Sequence, residues 1–276
     1  GGIDSTMIAI ALKKTSRKKI ETFSIGFDNH IYDESEKSLK ISNILGLKNN
    51  ILKMHENDMI ELVDKLPEIY SEPFADSSCL PSILLSKFSK NKVKVCLSGD
   101  GGDELFGGYN RYTLTEKMWN VLKIFPLPLR KLLKNILINL DDEKKKIISN
   151  LFLKKYSEKN QKLEKFFDII DTKNKLDLFK DILTKSKNSF NLVNLENKDN
   201  LNSDNFNKYP SFTENMMFHD TKFYMQDDIL CKVDRSSMFY ALETRVPFLD
   251  YELFSAAWQI PLKYKLNKMI LKDIIN

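Results

Sequence analysis

Glycine is confined to the first part of this chain. None follows Gly108, and seven of the nine glycines fall in two short acidic loops. The first is Gly1-Gly2-Ile3-Asp4-Ser5-Thr6. The second is Ser98-Gly99-Asp100-Gly101-Gly102-Asp103-Glu104-Leu105-Phe106-Gly107-Gly108-Tyr109. Glycine lets the backbone turn tightly and bring its N–H groups close to a ligand. A helix opening from such a loop adds its positive end, which suits phosphate. Carboxylates beside a phosphate would repel it. Asp4 and Asp103, with Asp100 as a further candidate, therefore imply Mg²⁺ between acid and phosphate. The loops point to ATP-using chemistry. Neither carries the Gly-x-x-x-x-Gly-Lys-Ser/Thr pattern or Gly-x-Gly-x-x-Gly with a distant ribose-binding acid, so kinase-like and dehydrogenase readings lose support.

The residues around the loops alternate helix and strand signals. A helix is predicted from Asp4 to Lys14, a strand over Ile20–Phe27, and a helix from Tyr32 to Leu45 stopped by Gly46. A short strand follows over Asn50–Met54. Helices are predicted over Asp58–Ile69 and Pro81–Lys90, then a buried strand, Val93–Leu97, that delivers the second loop. This order implies a parallel sheet with helices on its faces. Ligands of such sheets sit beyond the carboxyl ends of the strands, where both loops fall. Beyond about residue 110, Leu, Ile and Phe at three- and four-residue spacing predict helices, including Thr213–Leu242. The stretch 141–184 is Lys-rich and amphipathic, and the Asn-rich stretch 188–208 reads as a loop or surface excursion to which no chemistry is assigned. A buried strand normally feeds a turn like Gly1-Gly2. The chain therefore reads as a piece of a longer protein, cut just before its first functional motif, and its end reads as an interrupted helix.

Composition sets outer limits. A net charge of +5, with lysines scattered among acids, is weak support for nucleic-acid binding. The three cysteines are far apart and form no C-x-x-C pair, which argues against a disulfide framework or zinc site and for a reducing cytoplasm. No apolar run is long enough to span a bilayer. The three histidines form no visible triad.

A third block supports the loops: Met225 through Met238, continuing through Leu242-Glu243-Thr244-Arg245-Val246-Pro247-Phe248-Leu249-Asp250. Asp234, Arg235, Glu243 and Arg245 alternate there with apolar residues and are expected near buried surface, where charges need partners or a ligand. With these residues in view, the chain resembles the synthetase domain of the asparagine synthase family. The first loop is similar to that family's pyrophosphatase (PP) loop, Ser-Gly-Gly-x-Asp-Ser, without its leading Ser. The Ser98–Tyr109 block, Glu72-Pro73-Phe74-Ala75-Asp76, Lys232-Val233-Asp234-Arg235 and Arg245–Asp250 are similar to further family motifs in the same order.

The resemblance implies an α/β fold with a parallel sheet of the adenine nucleotide alpha hydrolase-like (PP-loop) type and a helical C-terminal region. Residues 1–115 would form the nucleotide-binding part and 116–276 the helical part, with 213–276 returning to the active site. It implies that ATP activates the side-chain carboxylate of aspartate as an acyl-adenylate, releasing pyrophosphate, and that ammonia then displaces AMP to give asparagine. Gly1, Gly2, Asp4 and Ser5 would hold pyrophosphate, with Asp4 and Asp103 on Mg²⁺. Ile25, Ser98 and Gly99 would contact the adenosine. Lys268 would stabilise charge during adenylation, and Asp100 would help position or deprotonate ammonia. The family's complete enzymes draw ammonia from glutamine through an N-terminal glutaminase domain, to which nothing here corresponds. A homodimer is a further implied assembly. Three alternatives stand beside this reading. One is a sister amidotransferase acting on another carboxylate, such as a sugar acid in surface-polysaccharide synthesis. The others are a tRNA-modifying enzyme sharing the first loop and a non-catalytic fragment.

Overall fold

The computed structural model describes residues 2–28, 33–141, 144, 167, 169–184, 206 and 208–275. The chain opens with α1 (Ile3–Thr15), β1 (Glu21–Phe27), α2 (Ser35–Ile44) and β2 (Lys48–Met54). It continues with α3 (Glu56–Val63), α4 (Leu66–Tyr70), α5 (Cys79–Lys90), β3 (Val95–Leu97) and α6 (Gly102–Leu105). Helices follow as α7 (Asn110–Leu122), α8 (Leu127–Ile138), α9 (Lys175–Leu183) and α10 (Phe212–His219). A π-helical segment, Asp220–Leu230, runs into α11 (Cys231–Met238), and β4 (Glu243–Arg245) comes next. The chain closes with α12 (Tyr251–Gln259), α13 (Leu262–Lys265) and α14 (Met269–Ile275). It is a mixed α/β protein with small parallel sheets and a helical C-terminal region.

The expected elements form where glycine punctuation and apolar spacing are clearest. Gly46 adopts φ 64° just past α2, the left-handed conformation that ends a helix. The expected helix over Asp58–Ile69 is two helices. Pro67, with no N–H to donate, sits in the first turn of α4, where none is needed. The expected helix over Thr213–Leu242 is divided into α10, the π-helical segment and α11. The stretches 141–184 and 188–208 lie largely outside the described residues, as do His30 and the Tyr32 start of the expected second helix.

The sheet differs from the expected single one. β1 pairs with β2 in parallel, from Glu21 opposite Lys48 to Phe27 opposite Met54. β3 pairs with β4 in parallel, with Cys96 opposite Thr244. No described strand joins β1 to β3, so two two-stranded sheets result.

The chain divides into two compact units, Gly1–Tyr109 with Met217–Asn276, and Asn110–Met216. Two apolar clusters lie among the described residues of the first. One joins Leu62, Ile69, Tyr70, Cys79 and Ile83 from α3, α4 and α5. The other joins Leu105, Phe106, Phe248, Ala257 and Leu271, with Ile3, Met7 and Ile8 of α1 packed on it. This second cluster fixes the start of α1 against α6 and α14. In the second unit, Leu122, Ile169, Ile170 and Leu178 form an apolar cluster. Among the described residues no helix is long and apolar enough to cross a membrane.

Candidate active site

The site forms where the start of α1, the loop after β3 and the chain at Asn267–Lys268 meet. Gly2 is extended (φ −73°, ψ 166°) and caps α1. Its carbonyl accepts from the Thr6 N–H at 3.1 Å, the Thr6 hydroxyl at 2.8 Å and the Ser5 hydroxyl at 3.2 Å. Gly1 lies outside the described residues. Asp4 stands in the first turn of α1, close to the positive end of the helix.

The second loop lies directly against Asp4. A Cβ on Gly99 would come within 2.9 Å of the Asp4 Cβ and of the Ser5 backbone nitrogen. One on Gly102 would come within 2.6 Å of Asp4 Oδ1. Gly99 leaves no room for a side chain against the backbone at Asp4–Ser5, and Gly102 leaves none against the Asp4 carboxylate. Between them Gly101 takes φ 83° and caps α6.

Lys268 completes the cluster from the far end of the sequence. Its Nζ pairs with Asp4 Oδ2 and, at 2.6 Å, with Asp103 Oδ1. Asn267 (φ 56°) and Lys268 (φ 58°) are both left-handed, which is costly for residues with side chains. Their N–H groups donate to the carbonyls of Gly107 and Phe106, each at 2.9 Å, so the second loop holds the conformation in place.

The electrostatics are unbalanced. Burial holds the Asp4 carboxyl above its ordinary range; Lys268 pulls the other way and Asp103 adds to the rise. Burial also works against the Lys268 ammonium, but its bonds to Asp103 and Asp4 outweigh burial and keep it above the ordinary lysine range. Two carboxylates share one ammonium, and the buried Asp4 Oδ1 has no hydrogen-bond partner. A buried acceptor left unsatisfied is costly, and a cation would satisfy it. Among the described residues no three His, Cys, Asp or Glu side chains cluster as metal ligands. Mg²⁺ fits such a two-carboxylate arrangement, because it takes its remaining ligands from phosphate oxygens and water.

Other expected site residues are distributed unevenly. The Ser98 hydroxyl donates to the Asp100 carboxylate, and the Ser98 N–H donates to the Arg245 carbonyl at 2.9 Å. Asp100 is thus held within the second loop and is half-buried. Ile25 lies inside β1 opposite Leu52, two residues before the strand ends, and the structure does not bring it into the Asp4–Lys268 cluster. The charges of the third block need correcting. Asp234, Arg235, Glu243 and Arg245 are exposed, and Arg245 forms a 2.6 Å surface pair with Glu243. They fall on the outward side of α11 and along the short strand β4, so spacing among apolar residues did not bury them.

The buried charge of that block is Lys232. Its Nζ bonds to Asp76 Oδ2 at 2.8 Å and to the Ser78 hydroxyl at 2.7 Å. Asp76 also accepts from the Ser78 N–H at 2.9 Å and from its hydroxyl at 2.8 Å. Burial pushes the Asp76 carboxyl up, but these bonds overcome it and pull it down to about 2. Sequence reasoning also missed Glu104. It is buried and accepts from the Tyr109 hydroxyl at 2.6 Å, and burial pushes its carboxyl up. Both residues lie inside quoted motifs, which was the available signal; their partners were not readable. Cys79 is buried, while Cys96 and Cys231 are partly exposed, and all three are free thiols.

Comparison with known proteins adds a family to this geometry. The asparagine synthase family matches residues 1–276. The chain belongs to the asparagine synthase family. It is 30% identical to asparagine synthetase [glutamine-hydrolyzing] 1 of Bacillus subtilis over 294 aligned residues, which cover all of this chain and 42% of that protein. It is 29% identical to a putative asparagine synthetase [glutamine-hydrolyzing] of Mycobacterium bovis, over 99% of this chain and 40% of that one. A putative asparagine synthetase of Methanocaldococcus jannaschii is 41% identical over 110 residues. The chain therefore spans about two fifths of the length of the first of these relatives. As a member of this family it is homologous to ATP-dependent ligases.

Proposed function

We propose that this chain is the synthetase part of an asparagine-forming enzyme, with a nucleotide-binding half of the adenine nucleotide alpha hydrolase-like type. In this reading it joins ammonia to the side-chain carboxylate of aspartate through an acyl-adenylate, releasing pyrophosphate and AMP. The observation that carries the reading is that Asp4 and Asp103, on two touching glycine loops, meet Lys268.

Each part then has a physical task. Backbone N–H groups at Gly2 and the start of α1 would face pyrophosphate, and the helix end would favour its charge. Asp4 and Asp103 would hold Mg²⁺, which supplies neutralisation of phosphate charge when bound. Lys268 offers a second positive charge at the same place, poised to meet a phosphate oxygen as charge develops. Ser98 and Gly99 would line the adenosine side, together with Ile25. Asp100, oriented by Ser98, would hold the incoming ammonia or take its proton. The relatives named above are described as glutamine-hydrolysing, so ammonia released from glutamine is the proposed nitrogen source.

Aspartate-dependent exchange of labelled pyrophosphate into ATP tests the reading in purified protein. Exchange is expected with aspartate. Exchange that depends on a different carboxylate, such as a sugar acid, would overturn the aspartate assignment. Complete absence of nucleotide binding would overturn the whole reading.

A further inference from the structure

One helix of the second unit, α8, is packed with its apolar stripe facing out. Leu129, Leu132, Leu133 and Ile136 follow the i, i+3, i+4, i+7 spacing of a single helical face. Such a face is normally turned onto a core. Here Leu132 and Ile136 are 55% and 52% exposed, and Leu129 and Leu133 are exposed beside them. The side of α8 that packs on its own unit carries charge instead. Arg130 is only 6% exposed, and its guanidinium donates to the carbonyls of Phe125, Ile170 and Thr172 at 3.1, 3.2 and 2.7 Å. Lys134 pairs with Asp171 at 2.8 Å. Rotating α8 to bury the stripe would break these bonds and take the Arg130 donor from three carbonyls. The outward orientation is therefore held in place. The exposed surface continues onto α7 through Val121 and, just past its end, Ile124 and Phe125. Between the two helices it opens into an apolar cavity of about 440 Å³, walled in part by Met118, Val121, Phe125 and Leu133.

We propose that this α7–α8 face docks on a membrane surface rich in anionic lipid. Charge selects that partner. From Lys117 to Leu140 the sequence has five basic residues, Lys117, Lys123, Arg130, Lys131 and Lys134, and no acid. Lys117, Lys123 and Lys131 are exposed. A contiguous exposed apolar patch marks an interaction site, and an apolar helix face accompanied by lysines is the composition of a helix lying in a lipid interface. A second copy pairing through the same face would set lysines against lysines, with no acid in either segment to meet them. A nucleic acid would meet the lysines and leave the stripe in water. On a bilayer, Leu129, Leu132, Leu133 and Ile136 enter the boundary between headgroups and acyl chains, and the three lysines reach the headgroup phosphates. The cavity beside the stripe gives room to the end of an acyl chain. A 12-residue helix is about 18 Å long, so α8 lies along the surface and does not cross it.

Sedimentation of the purified protein with lipid vesicles tests this. Binding to phosphatidylcholine vesicles containing about 40% phosphatidylglycerol should be about tenfold or more tighter than to phosphatidylcholine alone, and should weaken as salt is raised. The double change Leu132→Glu and Ile136→Glu should lower binding to the anionic vesicles by about tenfold or more. Both positions are exposed, so its thermal midpoint should stay close to that of the parent protein. A second measurement needs no variant: amide exchange over residues 118–138 should slow on the anionic vesicles, and exchange elsewhere should not. Four results would each overturn the proposal: no binding to the anionic vesicles, equal binding to both lipids, undiminished binding by the folded double variant, or protection confined to another part of the chain. Lipid-free self-association that the double variant abolishes would assign the face to a second copy and overturn it too. No readout uses ATP, so the result is independent of the nucleotide reading.

Discussion

Two buried aspartate–lysine pairs in the same compact unit differ in one respect. Asp76 and Lys232 sit in a closed set: the ammonium bonds to the carboxylate and to Ser78, and Ser78 returns two bonds to the carboxylate. Asp4 and Lys268 sit in an open one: a second carboxylate, Asp103, competes for the ammonium, and Asp4 Oδ1 is left without a partner. The carboxyls respond in opposite directions, Asp76 falling to about 2 and Asp4 rising. Burial works in the same sense on both, so the difference comes from what surrounds each pair. A pair whose bonds are complete holds two segments together. A pair left short of positive charge is a place for a ligand.

The largest expected effect breaks the open set. Asp103→Asn should abolish aspartate-dependent ATP–pyrophosphate exchange while leaving the thermal midpoint nearly unchanged, because the change removes a proposed Mg²⁺ ligand and little packing. Normal exchange by this variant would remove Asp103 from the site. Asp100→Asn comes next. It should slow amide formation by about 10² to 10⁴ while exchange largely survives, the usual worth of general acid–base help. If the two half-reactions fall together, Asp100 serves nucleotide binding instead.

Lys232→Met should do the reverse of Asp103→Asn. It strands the Asp76 carboxylate and should cost about 3–5 kcal/mol of stability by denaturant unfolding. Replacing both partners with apolar residues should cost less than the single change. A single variant that is fully stable but inactive would move Lys232 into the chemistry and erase the contrast.

The pH dependence is a smaller effect and gives the sharpest distinction. Asp76 is depressed in the folded protein, so its contribution is present above the unfolded carboxylate range, about 3.9. It is lost as pH falls toward about 2. Asp4 is raised, so its contribution has the opposite sign: present in acid and lost as pH rises through its folded value. Asp4→Asn should therefore flatten a decline in stability with rising pH, and Asp76→Asn a decline with falling pH. Identical pH profiles for the two variants would refute the comparison. Arg245→Ala, at an exposed pair, should change stability by about 1 kcal/mol or less.

Much of this could be read from the chain before its structure. α1, α2, β1, β2 and α5 follow from apolar spacing and from glycine or proline at their ends, because those signals are local. The adjacency of the loops was also legible, since two glycine-rich acidic turns that serve one nucleotide must meet. The open and closed sets themselves were not. Lys268 is 264 residues from Asp4 and Lys232 is 156 from Asp76, and no local pattern states such a pairing. Asp234 and Arg235 read as buried because their neighbours are apolar, yet both are exposed on α11. The expected single sheet failed for a related reason: strand signals say where strands form and not which edges they share.

The π-helical stretch before α11 sets how far around its axis that helix is turned. Its backbone bonds reach one residue further than in an α-helix, so each residue advances the chain through a smaller angle. Removing one residue from Asp220–Leu230 would leave composition almost untouched. It would still rotate everything after it, carrying Lys232 off Asp76 and bringing Asp234 to the half-buried place of Val233. Within this stretch, substitutions on its exposed side should be tolerated where a single deletion is not.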